Sequence, residues 1–426
     1  MHARLGRAAL FSAILSVGAV VAAGCVPAHQ PPPPPPPPTG TGCSASQASS
    51  APASSQSAPT PTPQSPVKYS AVVQSAGRPP TAATFTATSW NDKDTKVHQI
   101  ERYGTVTSVT PDQKVAALDT VNPTGNPDYA SQWALQAPSP SDASADFPAT
   151  WANHFGGVGV RIAIIDTGLL LTHEDFTGPS KVIPGPDLVA NPAGSVTVTG
   201  DPNGHGTHTA GIAAADDNGV GGLGGAPDAT LIPVRVLDSS GSGFDSDVAN
   251  GITWAADPTK GHAQVISLSL GGSSATADVQ TAVEYAKSQG VVVVAAAGNS
   301  SSPCANASYP GAFSTDPNAA VIAVAATEIN GGLASYSNFG PFVTIAAPGS
   351  SILSTWNDGT YKNLSGTSMA TPFVAAAAGL LEEKCGGPSS ISAVQVRNDL
   401  IAHHGPAVPG QSFNRVDAGA VTSAAC

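Results

Sequence analysis

Charged residues are scarce in this chain of 426 residues, and positive charge is the scarcer sign. Only 11% of the residues are charged, and 17 Lys and Arg stand against 29 Asp and Glu, which gives a net charge of −12. Nucleic-acid binding depends on cationic side chains that neutralise phosphates, so this composition argues against a nucleic-acid partner. The five cysteines show no spacing typical of a zinc site. The length instead allows one large domain with an accessory segment.

The first 25 residues have the pattern of an export signal. Arg4 and Arg7 precede an uncharged, mostly apolar run, residues 8–23, which is short for a membrane span. The run ends in Val-Ala-Ala-Gly-Cys, which resembles a bacterial lipoprotein box with Cys25 as the lipidated residue, and ordinary signal cleavage nearby is the alternative. The sequence predicts an exported protein, secreted or at the cell surface, whose membrane contact would be a lipid anchor on Cys25.

Residues 26–66 are predicted to be a disordered linker. An unbroken proline run at 31–38 is followed by Ser, Ala, Thr and Pro with almost no apolar residue. Such a composition is extended near the prolines and flexible after them.

The cysteines suggest a disulfide, because an exported protein can keep one oxidised. With Cys25 assigned to lipid, the remaining four allow three connectivities. Cys43 lies in the linker, so we expect a bond within the group Cys304, Cys385 and Cys426.

The rest of the chain divides into two folded parts. Residues 67–121 predict a small α+β domain, with a strand at 69–73, a charged helix near 92–103 and a strand near 106–111. In residues 122–426, apolar runs alternate with helical patterns, which predicts a mostly parallel sheet covered by helices on both faces, a three-layer α/β/α fold. Strands are expected at 159–165, 231–237, 265–270, 291–296 and 321–325. Helices are expected at 246–256, 277–289, from 368 onward and at 391–403.

Three short motifs contain the candidate catalytic residues. They are Ile-Ala-Ile-Ile-Asp-Thr-Gly with Asp166, Asn-Gly-His-Gly-Thr-His with His205, and Leu-Ser-Gly-Thr-Ser-Met-Ala-Thr-Pro with Ser368. A serine hydroxyl attacks when a neighbouring base takes its proton, a histidine titrating near pH 6.5 suits that base, and an aspartate holds the imidazole tautomer. The order Asp, His, Ser is that of subtilisin and differs from those of chymotrypsin and the α/β-hydrolases. From about residue 127 onward the chain therefore resembles the subtilisin-like serine proteases, the subtilases.

The resemblance implies a serine endopeptidase that needs no cofactor for catalysis and acts as a monomer on protein and peptide substrates. In the subtilase pattern Asp166, His205 and Ser368 are the catalytic triad, and His208 is structural. Asn299 matches the residue that, with the backbone N–H of Ser368, stabilises the oxyanion.

The resemblance also implies a cleft in which an extended peptide pairs with strand edges. Ala297, Gly298 and Ser308 would line the pocket for the side chain before the scissile bond. That pocket contains no acid, so we expect broad cleavage after medium apolar residues, with Ser308 disfavouring the bulkiest aromatics. By the same resemblance, Gly241, Ser242 and Gly243 would form one wall of the cleft. Ser269, Leu270 and Gly271 would form the other wall.

Two further features follow from the resemblance. Asp175 and Asn218 match a structural calcium site of some subtilases, and a solvated acidic loop is the alternative. The junction that follows residue 118 resembles the end of an inhibitory prodomain, so residues 67–121 would assist folding, block the cleft and be removed between 118 and 125. The alternative is an N-terminal domain that stays attached.

The sequence also bears on three other functions. A catalytically inactive peptide-binding protein with the subtilase fold is the alternative from another class. A lipase or esterase is disfavoured because Ala370 replaces the second glycine of the Gly-x-Ser-x-Gly motif. Acid-acting relatives carry Glu in place of the histidine, and His205 excludes that group.

Overall fold

A computed structural model of the chain describes residues 67–112, 114–117, 120–122, 129–139, 142–303 and 308–426. The predicted signal and linker, with Cys25 and Cys43, lie outside the described residues. So do Cys304 and most of the expected processing segment.

The N-terminal part is a small α+β unit. Strands β1 (Val67–Gln74), β2 (Thr81–Ala87) and β3 (Thr105–Pro111) form an antiparallel sheet in the order β2-β1-β3. Helix α1 (Trp90–Ile100) connects β2 and β3. Ser89 is its N-cap, and the Ser89 side chain accepts a hydrogen bond from the Asp92 N–H. The strands and the helix predicted for this region are present.

Alternating strands and helices make up the rest of the chain. The strands are β4 (Lys114–Ala117), β5 (Thr120–Asn122), β6 (Arg161–Asp166), β7 (Thr230–Arg235), β8 (Ser242–Phe244), β9 (Val265–Leu268), β10 (Leu270–Gly271), β11 (Val292–Ala296), β12 (Val321–Thr327), β13 (Ile345–Pro348), β14 (Ile352–Thr355) and β15 (Tyr361–Ser365). The helices are α2 (Phe147–Trp151), α3 (His205–Ala214), α4 (Asp245–Ala256), α5 (Ala277–Ser288), α6 (Thr367–Cys385), α7 (Ala393–Ala402) and α8 (Ala418–Ser423).

The central sheet has six parallel strands in the order β13-β12-β11-β9-β6-β7. Its strands are buried on both faces. Ile162 and Ile164 of β6 pack in one apolar cluster with α6, and Ala163 and Ile165 pack in another with α4 and α5. Side chains alternate across a strand, so a continuous apolar run marks a strand covered on both sides. The three-layer α/β/α prediction is confirmed.

The strand predicted at 265–270 is interrupted at Ser269. β9 ends at Leu268 in the central sheet, and β10 begins at Leu270 in a different sheet. The pattern Val-Ile-Ser-Leu-Ser-Leu did not reveal this break, because Leu270 is as fully buried as Leu268. The break carries the chain out of the central sheet toward the candidate site.

The C-terminal helices complete the layer that contains α6. A disulfide joins Cys385, at the end of α6, to Cys426, in agreement with the bond expected within the three C-terminal cysteines. Of the helices in the described ranges, none combines the length and apolarity needed to cross a membrane.

Candidate active site

Asp166 and His205 form a buried pair. Asp166 ends β6 and His205 begins α3, and both have no exposed surface. The His205 Nδ1 lies 2.7 Å from Asp166 Oδ1 and 2.9 Å from Oδ2, so Nδ1–H donates to the carboxylate. Asp166 Oδ1 also accepts from the Thr167 N–H at 2.7 Å. This fixes the imidazole tautomer, with the proton on Nδ1.

A second aspartate holds the start of α3. Asp201 Oδ2 accepts from the Thr207 N–H at 2.8 Å and from Thr207 Oγ1–H at 2.7 Å, while its Oδ1 accepts from the Gly204 N–H at 2.9 Å. Gly204 has φ of 108°, and a Cβ there would lie 2.5 Å from a ring carbon of Trp356, so glycine is required. Sequence reasoning missed Asp201, although an acid shortly before a helix is a recognised capping signal.

Ser368 is the second residue of α6 and is fully buried. Its Oγ donates to the Ser269 carbonyl at 3.1 Å, and Ser269 Oγ donates to the Ser368 carbonyl at 2.7 Å. Pro372 lies four residues on and has no N–H, so the Ser368 carbonyl lacks its usual helical donor. The Ser269 hydroxyl supplies that hydrogen bond. The predicted cleft residue therefore also fixes the predicted nucleophile.

Asn299 follows β11 and is half-buried. Its Oδ1 accepts from the Thr367 N–H at 2.9 Å and from Thr367 Oγ1–H at 2.9 Å, and the Gly298 N–H donates to Thr367 Oγ1 at 3.2 Å. Because the oxygen end is held by the first residue of α6, the Nδ2 amide is the end that can donate to a ligand. Thr367 has this orienting role, which the sequence motif did not reveal. A helix N-terminus also favours negative charge at this point.

The two predicted cleft walls lie on either side of one extended segment of the same chain. β4 pairs antiparallel with β8, with Val115 opposite Gly243, and antiparallel with β10, with Ala117 opposite Leu270. Ala116 pairs with both walls. β4 is thus the middle strand of a three-stranded sheet between the two predicted walls.

The predicted specificity pocket is compact. Ser308 is buried and lies close to two glycines. A Cβ added at Gly271 would lie 1.8 Å from the Ser308 Oγ, and a Cβ added at Gly298 would lie 3.3 Å from the Ser308 Cβ. The Asn338 amide donates to the Ala297 carbonyl at 2.8 Å and so fixes the pocket wall. Sequence reasoning did not find Asn338, because it lies far along the chain and in no recognised motif.

His208, on the same helix as His205, has a different environment. Its Nε2 lies 2.9 Å from the Lys362 carbonyl, which only accepts, so Nε2 carries the proton. Burial lowers the pKa of His208 to about 3, so the ring is neutral. This environment suits a structural histidine.

Asp175 and Asn218 lie close together through the loop that follows α3. Asp175 is fully buried, its Oδ2 accepts from the Gly222 N–H at 3.0 Å, and its Oδ1 has no hydrogen-bond partner in the described part of the chain. Burial raises the pKa of Asp175 to about 7. Asn218 is exposed, and its Nδ2 donates to the Glu174 carbonyl at 2.9 Å.

The groups of Asp175 and Asn218 that could bind a metal ion are carboxylate and amide oxygens. Within the described residues no cluster of three or more His, Cys, Asp or Glu side chains could hold a metal ion. A Ca²⁺ site needs fewer acids, because amide and backbone carbonyl oxygens supply most ligands. The unpaired buried oxygen of Asp175 fits such a site.

The chain is similar in sequence to known proteins. The profile of the subtilase family (peptidase S8) matches residues 157–414. Thermitase from Thermoactinomyces vulgaris is 50% identical over 238 residues, which cover 56% of this chain and 80% of thermitase. Subtilisin DY from Bacillus licheniformis is 43% identical over 251 residues, covering 58% of this chain and 85% of that protein.

Solved structures give the same result. A protease from Pseudoalteromonas arctica PAMC 21717 superposes with a TM-score of 0.61 at 31% identity, covering 70% of this chain and 98% of that one. A cold-adapted subtilisin-like serine proteinase superposes with a TM-score of 0.57 at 32% identity, covering 69% of this chain and 99% of that one.

Proposed function

The chain belongs to the subtilase family and is a serine endopeptidase, and on that premise we propose that Asp166, His205 and Ser368 are its catalytic triad. The observation that carries the proposal is the buried Asp166–His205 hydrogen bond of 2.7 Å. It gives His205 the tautomer that a general base needs, with the proton on Nδ1 and Nε2 as the basic nitrogen. Ser368 lies at the start of α6, which packs directly against α3.

The reaction proceeds in two halves. Ser368 Oγ attacks the peptide carbonyl carbon while His205 Nε2 takes its proton, and the resulting oxyanion accepts hydrogen bonds from Asn299 Nδ2 and the Ser368 N–H. The C–N bond then breaks, and His205 returns the proton to the leaving amine. Water, deprotonated by His205, hydrolyses the acyl-enzyme and restores Ser368. The Asp166 carboxylate stabilises the imidazolium in both halves.

The substrates are extended polypeptides of broad sequence. Pairing through β8 and β10 uses main-chain groups, which every peptide carries. The pocket residues Ala297, Gly298 and Ser308 bear no charge, so medium apolar side chains are favoured over basic ones. Ser308, in contact range of both Gly271 and Gly298, restricts the depth available to large aromatic side chains.

Residues 67–121 are proposed to be an inhibitory prodomain. In support, β4 occupies the cleft between β8 and β10 and would exclude other peptides while it remains there. We further propose export through residues 1–25, with lipidation of Cys25 as the membrane anchor and release of the catalytic part after processing. Lipid labelling of the full chain, compared with Cys25→Ser, tests the anchor.

A structural calcium ion is proposed at Asp175 and Asn218. The ion would neutralise the buried carboxylate and tie the loop at 216–222 to the segment around Glu174. It takes no part in the chemical steps.

The test of the proposed function is hydrolysis of a peptide library by the exported protein, with Ser368→Ala prepared in parallel. We expect cleavage after medium apolar residues by the wild type and none by the variant. Equal cleavage by both would refute the assignment of Ser368. Strict cleavage after Lys or Arg would refute the proposed specificity.

A further inference from the structure

The hairpin formed by β14 and β15 leads directly into the proposed nucleophile. Its strands pair antiparallel, with Thr355 opposite Tyr361. β15 ends at Ser365, and only Gly366 separates it from α6, the helix that contains Ser368. The position of the hairpin therefore bears on the position of Ser368.

The same hairpin is hydrogen-bonded to α3, the helix that contains the proposed general base. Thr355 Oγ1 donates to the Thr207 carbonyl at 2.7 Å. Ser354 Oγ donates to the His208 carbonyl at 2.8 Å. From the other strand, the Lys362 carbonyl accepts from His208 Nε2 at 2.9 Å. Both strands of the hairpin thus hold α3, so one element connects the base to the nucleophile.

Trp356 follows β14 and packs against the start of α3. A Cβ added at Gly204, the N-cap of α3, would lie within 2.7 Å of three carbons of the six-membered Trp356 ring. The indole also meets the His208 ring edge-on, with 6.3 Å between the ring centroids. It therefore contacts the first turn of α3 at residues on either side of His205.

Two glycines flank His205 in the chain, and both are tightly packed. Glycine has the greatest backbone freedom of any residue, so the surrounding structure must supply the rigidity at this point. A Cβ added at Gly206 would lie 2.3 Å from the Gly168 carbonyl oxygen, just beyond β6. Gly204 has its corresponding contact with the indole of Trp356. The backbone of His205 is thus confined by β6 through one glycine and by the hairpin through the other.

Trp356 is itself held in place. The Lys362 ammonium lies 3.9 Å from the centroid of the Trp356 ring, which is a cation–π contact. The Trp356 N–H donates to the Thr360 carbonyl at 2.7 Å and closes the turn of the hairpin. The next residue, Asn357, donates from Nδ2 to the carbonyl of Asp201 at 3.0 Å. Since Asp201 also holds the start of α3, the turn and the helix are joined on both sides of the indole.

We propose that Trp356 is a positioning residue of the active site. By confining Gly204, its indole keeps the His205 imidazole in place, and that placement aligns the base with both Asp166 and Ser368. This inference rests on the proposed function of His205 and Ser368. Misplacing a reacting group by about 1 Å can cost about 10² in rate, so a ring that limits such movement contributes to turnover.

The role of Trp356 separates turnover from binding. Peptide binding uses main-chain groups of β8 and β10, which Trp356 does not touch through any printed hydrogen bond of its own. A short peptide anilide reports on this binding alone, because its leaving group carries no residues beyond the scissile bond. Loss of the indole is therefore expected to lower kcat and to leave KM unchanged.

The test compares Trp356→Ala and Trp356→Phe with the wild type, with rates counted per active site titrated by a fluorophosphonate. Trp356→Ala is expected to lower kcat at least about tenfold at unchanged KM. Trp356→Phe keeps a ring against Gly204 and is expected to restore most of the wild-type kcat. The control is Trp254→Ala, which removes another half-buried indole that packs against a glycine, Gly185, in the apolar cluster containing α4. It is expected to keep the wild-type kcat per active site.

Wild-type kcat in Trp356→Ala would overturn the inference, as would an equal loss of kcat in Trp254→Ala or a change confined to KM. Trp356→Leu, which is apolar but has no ring, replaces the alanine variant if that protein yields no titratable sites, and wild-type kcat in it has the same meaning. Ser368→Ala is measured in the same assay. Hydrolysis that persists in Ser368→Ala would overturn the proposed function, whereas the Trp356 outcomes overturn the inference alone.

Lys362→Met tests how the indole is held. The methionine keeps an unbranched side chain and removes the ammonium, so a loss of kcat of about two- to fivefold is expected at unchanged KM. Because Lys362 would act through Trp356, the same change on the Trp356→Ala background is expected to have no further effect. Equal losses on the two backgrounds would overturn this coupling.

Discussion

Asp112 caps a helix in a different part of the chain. Its carboxylate accepts from the Ser246 N–H at 2.9 Å and from Ser246 Oγ–H at 2.7 Å, in the first turn of α4. The residue immediately before α4, Phe244, has no side chain able to cap the helix. Asp112 also forms an ion pair with Lys68 at 2.8 Å, and the Lys68 ammonium lies 3.4 Å above the Phe244 ring. The small N-terminal unit is thereby linked to the strand that forms one wall of the cleft.

We predict that Asp112→Ala weakens retention of the processed N-terminal fragment. Loss of a capping side chain costs about 1–2 kcal/mol, which corresponds to roughly 5- to 30-fold faster release. Native mass spectrometry after processing measures the bound fraction. The control is Asp94→Ala, which removes an exposed carboxylate of α1. Equal retention in both variants would show that the contact does not hold the fragment.

Asn299→Leu is predicted to reduce turnover with little effect on KM. In subtilisin, loss of the corresponding oxyanion donor costs about 10² to 10³ in kcat. Leucine keeps the number and branching of the side-chain heavy atoms, and it removes the Nδ2 amide together with the Oδ1 that accepts from Thr367. Steady-state kinetics on a peptide substrate separate kcat from KM. Turnover at the wild-type level would remove Asn299 from the mechanism.

Stability is predicted to fall as pH rises from about 4.5 to about 8 because of Glu382. This side chain has no exposed surface, neither carboxyl oxygen has a hydrogen-bond partner in the described ranges, and burial raises its pKa to about 8. The folded state therefore keeps a proton that the unfolded state releases between about pH 4.5 and 8, so the free energy of unfolding decreases across that window by up to about 1.4 kcal/mol per pH unit.

Glu382→Gln tests this prediction, because the amide stays neutral at every pH. The comparison uses the Ser368→Ala background, which prevents self-digestion. Between pH 6 and pH 9, a range that includes roughly two pH units of the window from 4.5 to 8, the variant is expected to lose less stability than its parent. Glu284→Gln, at a half-exposed surface position, is the control. Parallel pH profiles for Glu382→Gln and its parent would contradict the role of Glu382.

Removal of calcium by a chelator is predicted to destabilise the protein, because the proposed ion binds the buried carboxylate of Asp175. A ligand present at about 100 times its Kd adds about 2.7 kcal/mol to the free energy of unfolding. Thermal unfolding with and without chelator measures the shift. Asp175→Asn is expected to abolish the chelator effect, and Asp217→Asn, an exposed neighbour in the same loop, is expected to retain it. Insensitivity of the wild type to chelator would favour a solvated acidic loop.

Much of the fold could be predicted from local sequence. The run Val292–Ala296 is apolar at every position, and such a run indicates a strand buried on both faces. The break at Ser269 could not be predicted, because the residue is hydrogen-bonded to Ser368, 99 positions away, and local sequence does not show that contact.

In the candidate site, too, local sequence predicted some features, and contacts between distant residues determine the others. Motifs located Asp166, His205 and Ser368 because each occupies a distinctive local sequence. The orienting roles of Thr367 and Asp201 depend on partners that only the tertiary structure brings within hydrogen-bond distance. The pairing of β4 with β8 and β10 also escaped prediction, since main-chain ladders leave no side-chain pattern in so short a segment.

The most direct test of the triad is covalent labelling of the full chain with a fluorophosphonate probe, followed by mass-spectrometric mapping. We expect one labelled residue, Ser368, with labelling lost in Ser368→Ala and strongly reduced in His205→Ala. Labelling of a different residue, or peptide hydrolysis by a protein whose Ser368 stays unlabelled at saturating probe, would contradict it.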